Sequence, residues 1–436
     1  MRSSRRPPGR SPGTSSPIRS SARTDSSASA APTRWRSSGR WSRTAGGSAE
    51  ACRPGWRCGG RTIVPDHDVL VVGAGLVGLL LACLLTQDGL RVAVCERRTD
   101  ADTRTRAIGI HRPGLEALEA AGLGDEVLAE ALRLDGGEVR SRRRTLASLA
   151  FPPERPVLIL PQPRTDALLR ARLRSLAPDA LRDGWTVRSV DPADDVVRVS
   201  VDTPDIAREL TARCVVVADG VRSSLRADLG LGWSRRSGRA TYAMVDVADA
   251  EADARAVLHC EPSGLVESFP LPGGRRRWVA RQGAGEQLGA ADAFRGAVEA
   301  RTGIRLDLAD DVQPTVFEAA QHIARRIVRG RVVLLGDAAH EISPIGGQGM
   351  NLGWTDAVRL ARVLVRALPE RMPDLAGYER DLRRRTRIVQ SRSAFYMAMG
   401  APAPIGVAVP RELVIRTLGT RPLRRWSAGL ITMQGL

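Results

Sequence analysis

An apolar segment interrupted by three closely spaced glycines restricts this chain to few folds. Val69–Val72 is a run of strand-forming residues, and Gly73-Ala74-Gly75-Leu76-Val77-Gly78 follows it directly. The apolar character continues to a second run, Arg91–Glu96, which ends in a carboxylate. A strand, a glycine turn, a helix and a second strand within residues 67–98 predict one βαβ unit. Because neither strand alternates with polar residues, we expect a parallel sheet covered on both faces, and therefore an α/β fold.

The glycine turn predicts a dinucleotide site. Glycines at this spacing let the backbone approach a pyrophosphate, whose charge is stabilised by the helix N-terminus. Glu96 lies 18 residues after Gly78, where a carboxylate accepts hydrogen bonds from a ribose. The alternative is a glycine turn that serves only close packing. This unit alone does not separate a nicotinamide from a flavin. Its candidate ligands are Gly73, Ala74, Gly75, Gly78, Glu96 and Arg97.

A second glycine-rich segment lies about 260 residues further on. Gly336-Asp337 follows the buried strand Arg331–Leu335, and Pro344 leads into Gly346-Gly347-Gln348-Gly349-Met350-Asn351. Asn351 is the only asparagine in the 436 residues, and the chain has no lysine. One Asn retained in such a composition indicates a specific role. The absence of lysine excludes Schiff-base chemistry, a P-loop lysine and lysine-dependent halogenation.

Residues 1–63 are expected to form a disordered, Arg- and Ser-rich extension, which we attribute to a start codon assigned too far upstream. Residues 1–65 hold 13 Arg against two acidic residues, so they carry most of the formal net charge of +18. Such a segment cannot bury enough apolar surface to offset its chain entropy. A non-enzymatic Arg-rich nucleic-acid binder is the rival hypothesis. An aromatic content of 4% leaves little surface for base stacking, so no nucleic-acid partner is predicted.

The six cysteines indicate a reduced, cytoplasmic protein without a metal site, because they form no C-x-x-C pair and have no metal-ligand spacing with histidine. Cys83, Cys95 and Cys214 fall in apolar runs, where buried thiols are expected. The apolar stretch Val69–Leu85 is long enough to suggest a membrane span. Its three glycines favour a strand, a turn and a buried helix instead.

Together these segments resemble the class A FAD-dependent aromatic monooxygenases, the para-hydroxybenzoate hydroxylase-like family. The resemblance covers about residues 66–370. It rests on Gly73–Gly78, Glu96, Thr105–Gly109, Asp219-Gly220 and Gly336–Asn351. It implies a Rossmann-like FAD-binding domain with an inserted mixed or antiparallel substrate-binding sheet and C-terminal helices.

The resemblance also implies roles for individual residues. Asp337 would bond the ribityl chain of FAD, and Pro344 with Gly346–Asn351 would lie along the isoalloxazine ring. Asp219 would support FAD and a transient NAD(P)H. Arg106 and Arg164 would contact the phosphate and ribityl region, although the family commonly has Gln where Arg164 stands, and a solvated salt bridge is its alternative. Asn351 is either a flavin contact or a simple helix cap.

The function implied is insertion of one oxygen atom from O2, through a C4a-hydroperoxyflavin, into an aromatic, phenolic or lipophilic secondary metabolite. NAD(P)H would be the reductant, and the fold also suits an epoxidase, or a reductase or dehydrogenase. Since the flavin carries the chemistry, no side chain is assigned a catalytic role. His340 and Tyr242 are the candidates, and each has a structural role as its alternative.

The predicted FAD-binding domain is discontinuous, comprising residues 64–135, 160–231 and 320–370. The substrate-binding sheet comprises residues 136–159 and 232–319, where short strands are separated by Pro and Gly turns. Residues 371–436 form a C-terminal helical region. Its apolar end is expected to cap the substrate cavity, to favour a lipophilic substrate and to contact a membrane surface peripherally.

Overall fold

The computed structural model describes residues 56–58, 61–100, 107–193, 195–236, 238–249, 253–368, 374–433 and 435. The predicted disorder of residues 1–63 therefore lies largely outside the described residues. Within that range the structure contains two short antiparallel strands, Trp56–Cys58 and Arg61–Ile63, where no regular structure was expected. Arg106 also lies outside the described residues.

An eight-stranded sheet forms the base of the α/β body. Four neighbouring strands run parallel, in the spatial order Leu181–Asp183, Val92–Glu96, His67–Val72 and the end of Ala207–Val217. A fifth parallel strand, Val332–Leu334, pairs with Ala207–Val217 on the side away from His67–Val72. The first half of Ala207–Val217 pairs with an antiparallel meander of two strands, Val197–Asp202 and Thr186–Pro192. The eighth strand, Val328–Arg329, is antiparallel to Val332–Leu334. The strands of the predicted βαβ unit are buried on both faces, as expected for a covered parallel sheet.

A seven-stranded mixed sheet forms a second layer. In spatial order its strands are Thr315–Ala319, Ala240–Ala248, Arg275–Arg281, Gly264–Leu271, Arg255–Glu261, Gly136–Ser141 and Arg144–Ala150. All neighbours are antiparallel except Arg255–Glu261 and Gly136–Ser141. Both stretches that supply these strands fall within the segments predicted for the substrate-binding sheet. Two small sheets complete the strands: Trp233–Arg235, His322–Ala324 and His340–Glu341, and Gly109–Ile110, Leu158–Ile159 and Leu132–Arg133.

Ten α-helices lie within the described residues. They are α1 Leu76–Gln87, α2 Arg112–Ala120, α3 Gly124–Glu130, α4 Gln162–Leu176, α5 Ser224–Asp228, α6 Ala291–Thr302, α7 Gln348–Ala367, α8 Ala376–Met399, α9 Ile405–Leu418 and α10 Arg421–Ile431. Helix α1 is apolar on almost every side because it lies under the sheet and packs against α4 and α7. Helix α2 begins at Arg112 with Pro113 in its first turn, where a proline is tolerated.

The main core joins the parallel strands to α1 and α7, and a second core joins one face of the seven-stranded sheet to α6. Cys83, Cys95 and Cys214 are buried free thiols, as predicted. Across the described part of the chain, no helix combines the length and apolar character that crossing a membrane requires.

Candidate active site at the carboxyl ends of three strands

Three predicted motifs meet because three parallel strands end side by side. Val217 is in register with Val72 on one side and with Leu334 on the other. The amide of Ala218 donates to the Val72 carbonyl over 2.8 Å, and the amide of Leu335 donates to the Val217 carbonyl over 2.9 Å. The glycine turn, Asp219-Gly220 and Gly336-Asp337 therefore begin at one edge of the sheet. In open α/β sheets, ligands bind in the crevice beyond such carboxyl ends.

The glycines of the first turn have different roles. Gly73 has φ +102°, and a Cβ there would lie 2.6 Å from the Ala218 carbonyl oxygen. A Cβ on Gly78 would overlap the Gly73 carbonyl, so both positions need glycine for packing. Gly75 has an ordinary φ of −73°, and a Cβ there would meet nothing within 4 Å. Gly75 caps α1 without a side-chain cap, so the free N–H groups of this helix face open space that suits a phosphate.

Glu96 is 4% exposed and already holds the turn. Its carboxylate accepts the amide of Ala74 over 2.8 Å, and it accepts the amide and the side chain of Arg98, each over 3.0 Å. Burial would raise the pKa of Glu96, but these hydrogen bonds outweigh burial and the pKa is lowered. An ionised carboxylate at this position retains lone pairs for a ribose hydroxyl.

Asp219 carries a buried carboxylate oxygen without a hydrogen-bond partner among the described residues. Burial raises the pKa of Asp219, while the Ser223 side chain and the charges of Arg226 and Arg97 lower it, with burial the larger effect. The structure thus brings Asp219 and Arg97 close enough to interact. An orphaned acceptor beside the glycine turn is what a ligand hydroxyl or amide would satisfy.

Gly336 and Asp337 begin a short 3₁₀ turn, Gly336–Ala338, at the end of the strand Val332–Leu334. Gly336 has φ +61°, and its Cα side faces Val77 of α1. Asp337 is exposed at the edge where the three strands end. The position suits a carboxylate that reaches a ligand lying across the strand ends.

The second glycine-rich segment turns from this edge toward the seven-stranded sheet. Gly346 and Gly347 have φ of +88° and +63°, which glycine adopts without strain. Ile345 follows Pro344 and precedes the two glycines. Its side chain is 2% exposed and packs into an apolar cluster on one face of the seven-stranded sheet. Helix α7 then starts at Gln348 without a side-chain cap. Its free N–H groups and dipole favour negative charge in the space before it, next to Gly349 and Met350.

Asn351 does not act as a simple side-chain cap of α7, because its hydrogen bonds go to other groups. Its Oδ1 accepts the His111 amide, and its Nδ2 donates to the carbonyls of Gly109 and Gly347, each over 2.9 Å. The side chain is completely buried. Because its amide is used by three protein groups, Asn351 fixes the strand Gly109–Ile110 to the start of α7.

His111 is a residue that the sequence did not single out for this site. Its Nε2 lies 3.4 Å from the Gly346 carbonyl, and its Nδ1 is buried without a partner among the described residues. Burial lowers the pKa of His111 to about 4, which keeps the ring neutral at physiological pH. In the sequence, the one feature that pointed to His111 was its position two residues after the Thr105–Gly109 motif.

Arg164 forms a salt bridge at the surface. It forms a bidentate ion pair with Glu130, with distances of 2.8 and 2.6 Å, and 54% of its side chain is exposed. This is the solvated salt bridge that was its alternative. Gln162 at the start of α4 accepts the Ala107 amide over 3.3 Å, beside the segment that contains Arg106.

His340 and Tyr242 lie in different surroundings. His340 is 1% exposed, and its Nε2 lies 2.8 Å from Asp356, which also pairs with Arg385 over 2.8 Å. This buried network gives His340 a structural role. Tyr242 is fully buried on the seven-stranded sheet, and its hydroxyl has no hydrogen-bond partner within the described residues.

The C-terminal helices reach the same segment. The Gln348 side chain donates to the Leu430 carbonyl over 3.2 Å, and buried Met433 packs with Ile342 and Leu352. Arg411 of α9 donates to the carbonyls of Cys260 and Glu261, over 3.0 and 3.1 Å. The C-terminal region is therefore tied both to the start of α7 and to the seven-stranded sheet.

Comparisons with known proteins agree with this arrangement. Residues 66–392 match the family described as FAD binding domain. The 12-dehydrotetracycline 5-monooxygenase/anhydrotetracycline 6-monooxygenase of Streptomyces rimosus is 31% identical over 387 residues, covering 84% of this chain and 76% of that protein. The 3-(3-hydroxy-phenyl)propionate/3-hydroxycinnamic acid hydroxylase of Mycobacterium avium is 30% identical over 395 residues, covering 84% and 67%. The structure of aklavinone-11 hydroxylase with FAD and aklavinone superposes with a TM-score of 0.67 at 25% identity, covering 78% and 70%.

The fold and the strand-end site define a flavoprotein oxygenase. The chain belongs to the FAD-binding domain family of class A flavoprotein monooxygenases, and its cofactor is FAD. The resemblance drawn from the glycine motifs and the predicted fold class are confirmed.

Proposed function

We propose that this monooxygenase hydroxylates a phenolic, polycyclic aromatic compound at the junction between its two sheets. The observation that carries the proposal is the position of Ile345: the segment from Pro344 to Gly347 begins at the FAD-side strand ends and packs directly on one face of the seven-stranded sheet. A substrate on that face would lie against the flavin-binding segment. The relatives named above act on a tetracycline skeleton or on a hydroxyphenyl acid, which favours the same substrate class here.

The described residues fit FAD across the strand ends. Open space in front of Gly75 suits the pyrophosphate, and the ionised Glu96 suits the adenosine ribose. The orphaned oxygen of Asp219 and the exposed carboxylate of Asp337 suit the ribityl region. The uncapped start of α7 suits the pyrimidine edge of the ring. When bound, FAD supplies the oxygen-transfer chemistry, and the chain orients the substrate and excludes water.

The C-terminal helices contribute to water exclusion. Met433 and Leu430 contact residues beside the start of α7, so they close this side of the flavin-binding segment. Removal of residues 405–436 is expected to abolish hydroxylation while FAD stays bound. Unchanged kinetics of the truncated protein would contradict this role.

The test uses the full chain reconstituted with FAD. We would supply anhydrotetracycline or 3-(3-hydroxyphenyl)propionate with NADH or NADPH under labelled O2, and follow FAD content, reductant consumption and product mass. One labelled oxygen atom in the product is expected with a phenol of the panel. Reductant oxidation without label in any product would instead favour the reductase alternative, and failure to bind FAD would contradict the residue assignments.

The outer face of α9 and α10 suits peripheral contact with an anionic membrane. Seven apolar side chains are exposed there, and they are bordered by exposed Arg416, Arg421 and Arg424. They are Ile405, Val407, Val409, Leu413, Val414, Leu423 and Trp426. Cosedimentation with phosphatidylglycerol vesicles, but not phosphatidylcholine vesicles, is expected, and the double variant Leu413→Ser/Trp426→Ser should lose it. Leu128→Ser, at an exposed leucine of α3, is the matched control.

A further inference from the structure

A buried carboxyl group without a partner lies at the centre of the seven-stranded sheet. Glu267 is 3% exposed in the strand Gly264–Leu271. Burial is the whole cause of its altered acidity and raises the pKa of Glu267 to about 8. No described residue hydrogen-bonds to its carboxyl group or forms an ion pair with it. Buried carboxyl groups in proteins are ordinarily paired, so this one needs a partner that the folded chain does not supply.

The strand register places Glu267 on the face toward the flavin-binding segment. Glu267 lies opposite Leu258 and Val279 in the neighbouring strands, and it shares a face with Leu265, two residues away. Leu265 and Val279 pack in the same cluster as Ile345. The intervening residues belong to the other face, which α6 covers; they are Val266, Trp278 and Ala280.

Tyr242 provides a second unsatisfied polar group on the same face. It is fully buried, its hydroxyl has no hydrogen bond within the described part of the chain, and its ring stacks on Phe317 with centroids 5.7 Å apart. Burial raises the pKa of Tyr242, the charge and the nearby guanidinium of Arg281 lower it, and the charge of Glu267 raises it. Arg281 itself donates to the Met397 carbonyl over 2.8 Å. Apolar and aromatic walls with two unpaired oxygen groups suit a flat ring system that carries a hydroxyl.

We propose that Glu267 and Tyr242 form the polar end of the substrate pocket, where the Glu267 carboxylate accepts the proton of a ring hydroxyl on the substrate. This inference rests on the proposed function and assigns its phenol-binding groups. The O–H bond of the phenol breaks, the proton forms the O–H bond of the carboxylic acid, and the electron pair stays on the phenolate oxygen. A phenolate is more electron-rich than a phenol and so more reactive toward an electrophilic oxygen. A carboxyl group with a pKa of about 8 is better matched to a phenolic proton than an ordinary glutamate is.

Other titratable or charged groups also face this region and must be separated from Glu267 in a pH profile. They lie on the neighbouring strands and on α8, and comprise Tyr242, Cys260, Arg281, the Asp246–Arg277 ion pair and Tyr396. Burial raises the pKa of both Cys260 and Tyr396 to about 12, so neither titrates between pH 6 and 9.

The experiment compares the FAD-loaded wild type with Glu267→Gln, which keeps the side-chain shape but cannot accept the proton. Glu261→Gln is the matched control, because Glu261 is also a buried glutamate of this sheet but accepts the Arg142 amide. The probe is 4-nitrophenol, whose phenolate is coloured, titrated between pH 6 and 9. We expect phenolate colour on binding to the wild type and the control. Glu267→Gln should lose the colour and bind 4-nitrophenol about tenfold more weakly, because one charge-assisted hydrogen bond is lost.

Equal colour and affinity in the wild type and Glu267→Gln would overturn the inference. So would loss of FAD by Glu267→Gln, since the carboxyl group would then be structural. If neither 4-nitrophenol nor anhydrotetracycline binds the wild type, the phenol-binding assignment is wrong. The proposed function would still hold if that protein retained FAD and inserted oxygen into another substrate. Should Glu267→Gln not fold, Tyr242→Phe still tests the pocket: it should keep FAD and bind the probe several-fold more weakly, and unchanged binding contradicts the inference.

Discussion

The side chain of Asn351 accepts a hydrogen bond from the main-chain amide of His111 across 240 residues of sequence. The same side chain donates to the carbonyls of Gly109 and Gly347. One buried amide thus holds the segment from Gly109 to His111 against the start of α7. His111 adds a contact to Gly346, so the two residues together fix the conformation of that segment.

Asn351→Ala is expected to lower the free energy of unfolding by roughly 2–4 kcal/mol, because three buried hydrogen bonds are lost and their partners are left unpaired. FAD should also bind more weakly, since the start of α7 loses its tether. Urea denaturation of the apoprotein and a flavin fluorescence titration measure the two effects. Gln87→Ala, which removes an exposed amide bonded to the Ala120 carbonyl, should change neither.

Gly75→Ala and Gly78→Ala are expected to have opposite consequences. A Cβ at Gly75 meets open space at an ordinary φ, so the apoprotein should keep its stability. The methyl group would occupy the proposed pyrophosphate position and weaken FAD binding at least about tenfold. A Cβ at Gly78 overlaps the Gly73 carbonyl, so that variant should be destabilised even without FAD. Equal FAD affinity of Gly75→Ala and the wild type would refute the pyrophosphate assignment.

The glycine turn and its βαβ unit could be predicted because their determinants lie within 30 residues of sequence. The role of Asn351 could not, because its partners lie on a strand 240 residues away that only the tertiary fold brings near. The ion pair of Arg164 could not be predicted for a related reason: its partner Glu130 comes from another helix. Alternation predicts which residues of Gly264–Leu271 share a face. It does not reveal that the face with Glu267 is the one against Ile345.

His340→Gln is expected to destabilise the protein without changing the rate of hydroxylation by its folded fraction. The variant breaks the contact with Asp356, a fully buried carboxylate that also pairs with Arg385. Removing one member of a buried charged network costs about 3–5 kcal/mol at most. Thermal denaturation and kcat, normalised to bound FAD, separate the two roles. A large fall in kcat at unchanged stability would restore His340 as a catalytic candidate.

Glu267 is expected to make the stability of the protein fall as the pH rises. Its pKa is about 8 in the folded protein and near 4.3 in an unfolded chain, so between these values the folded state holds a proton that the unfolded state has released. The unfolding free energy therefore decreases with pH in this window, by at most about 1.4 kcal/mol per pH unit. Glu267→Gln lacks this linkage and should gain stability relative to the wild type from pH 5 to pH 8.

The measurement is denaturation of the apoprotein at several pH values in both variants. His111 and His259, whose pKa values burial lowers to about 4, act in the opposite direction between pH 4 and 6.5. They are common to both proteins and cancel in the difference. The Glu261→Gln control should show a smaller change, because the Arg142 amide already stabilises that carboxylate. A constant difference between the wild type and Glu267→Gln across this range would mean that the Glu267 carboxyl group ionises normally, and it would remove the proton acceptor from the proposed pocket.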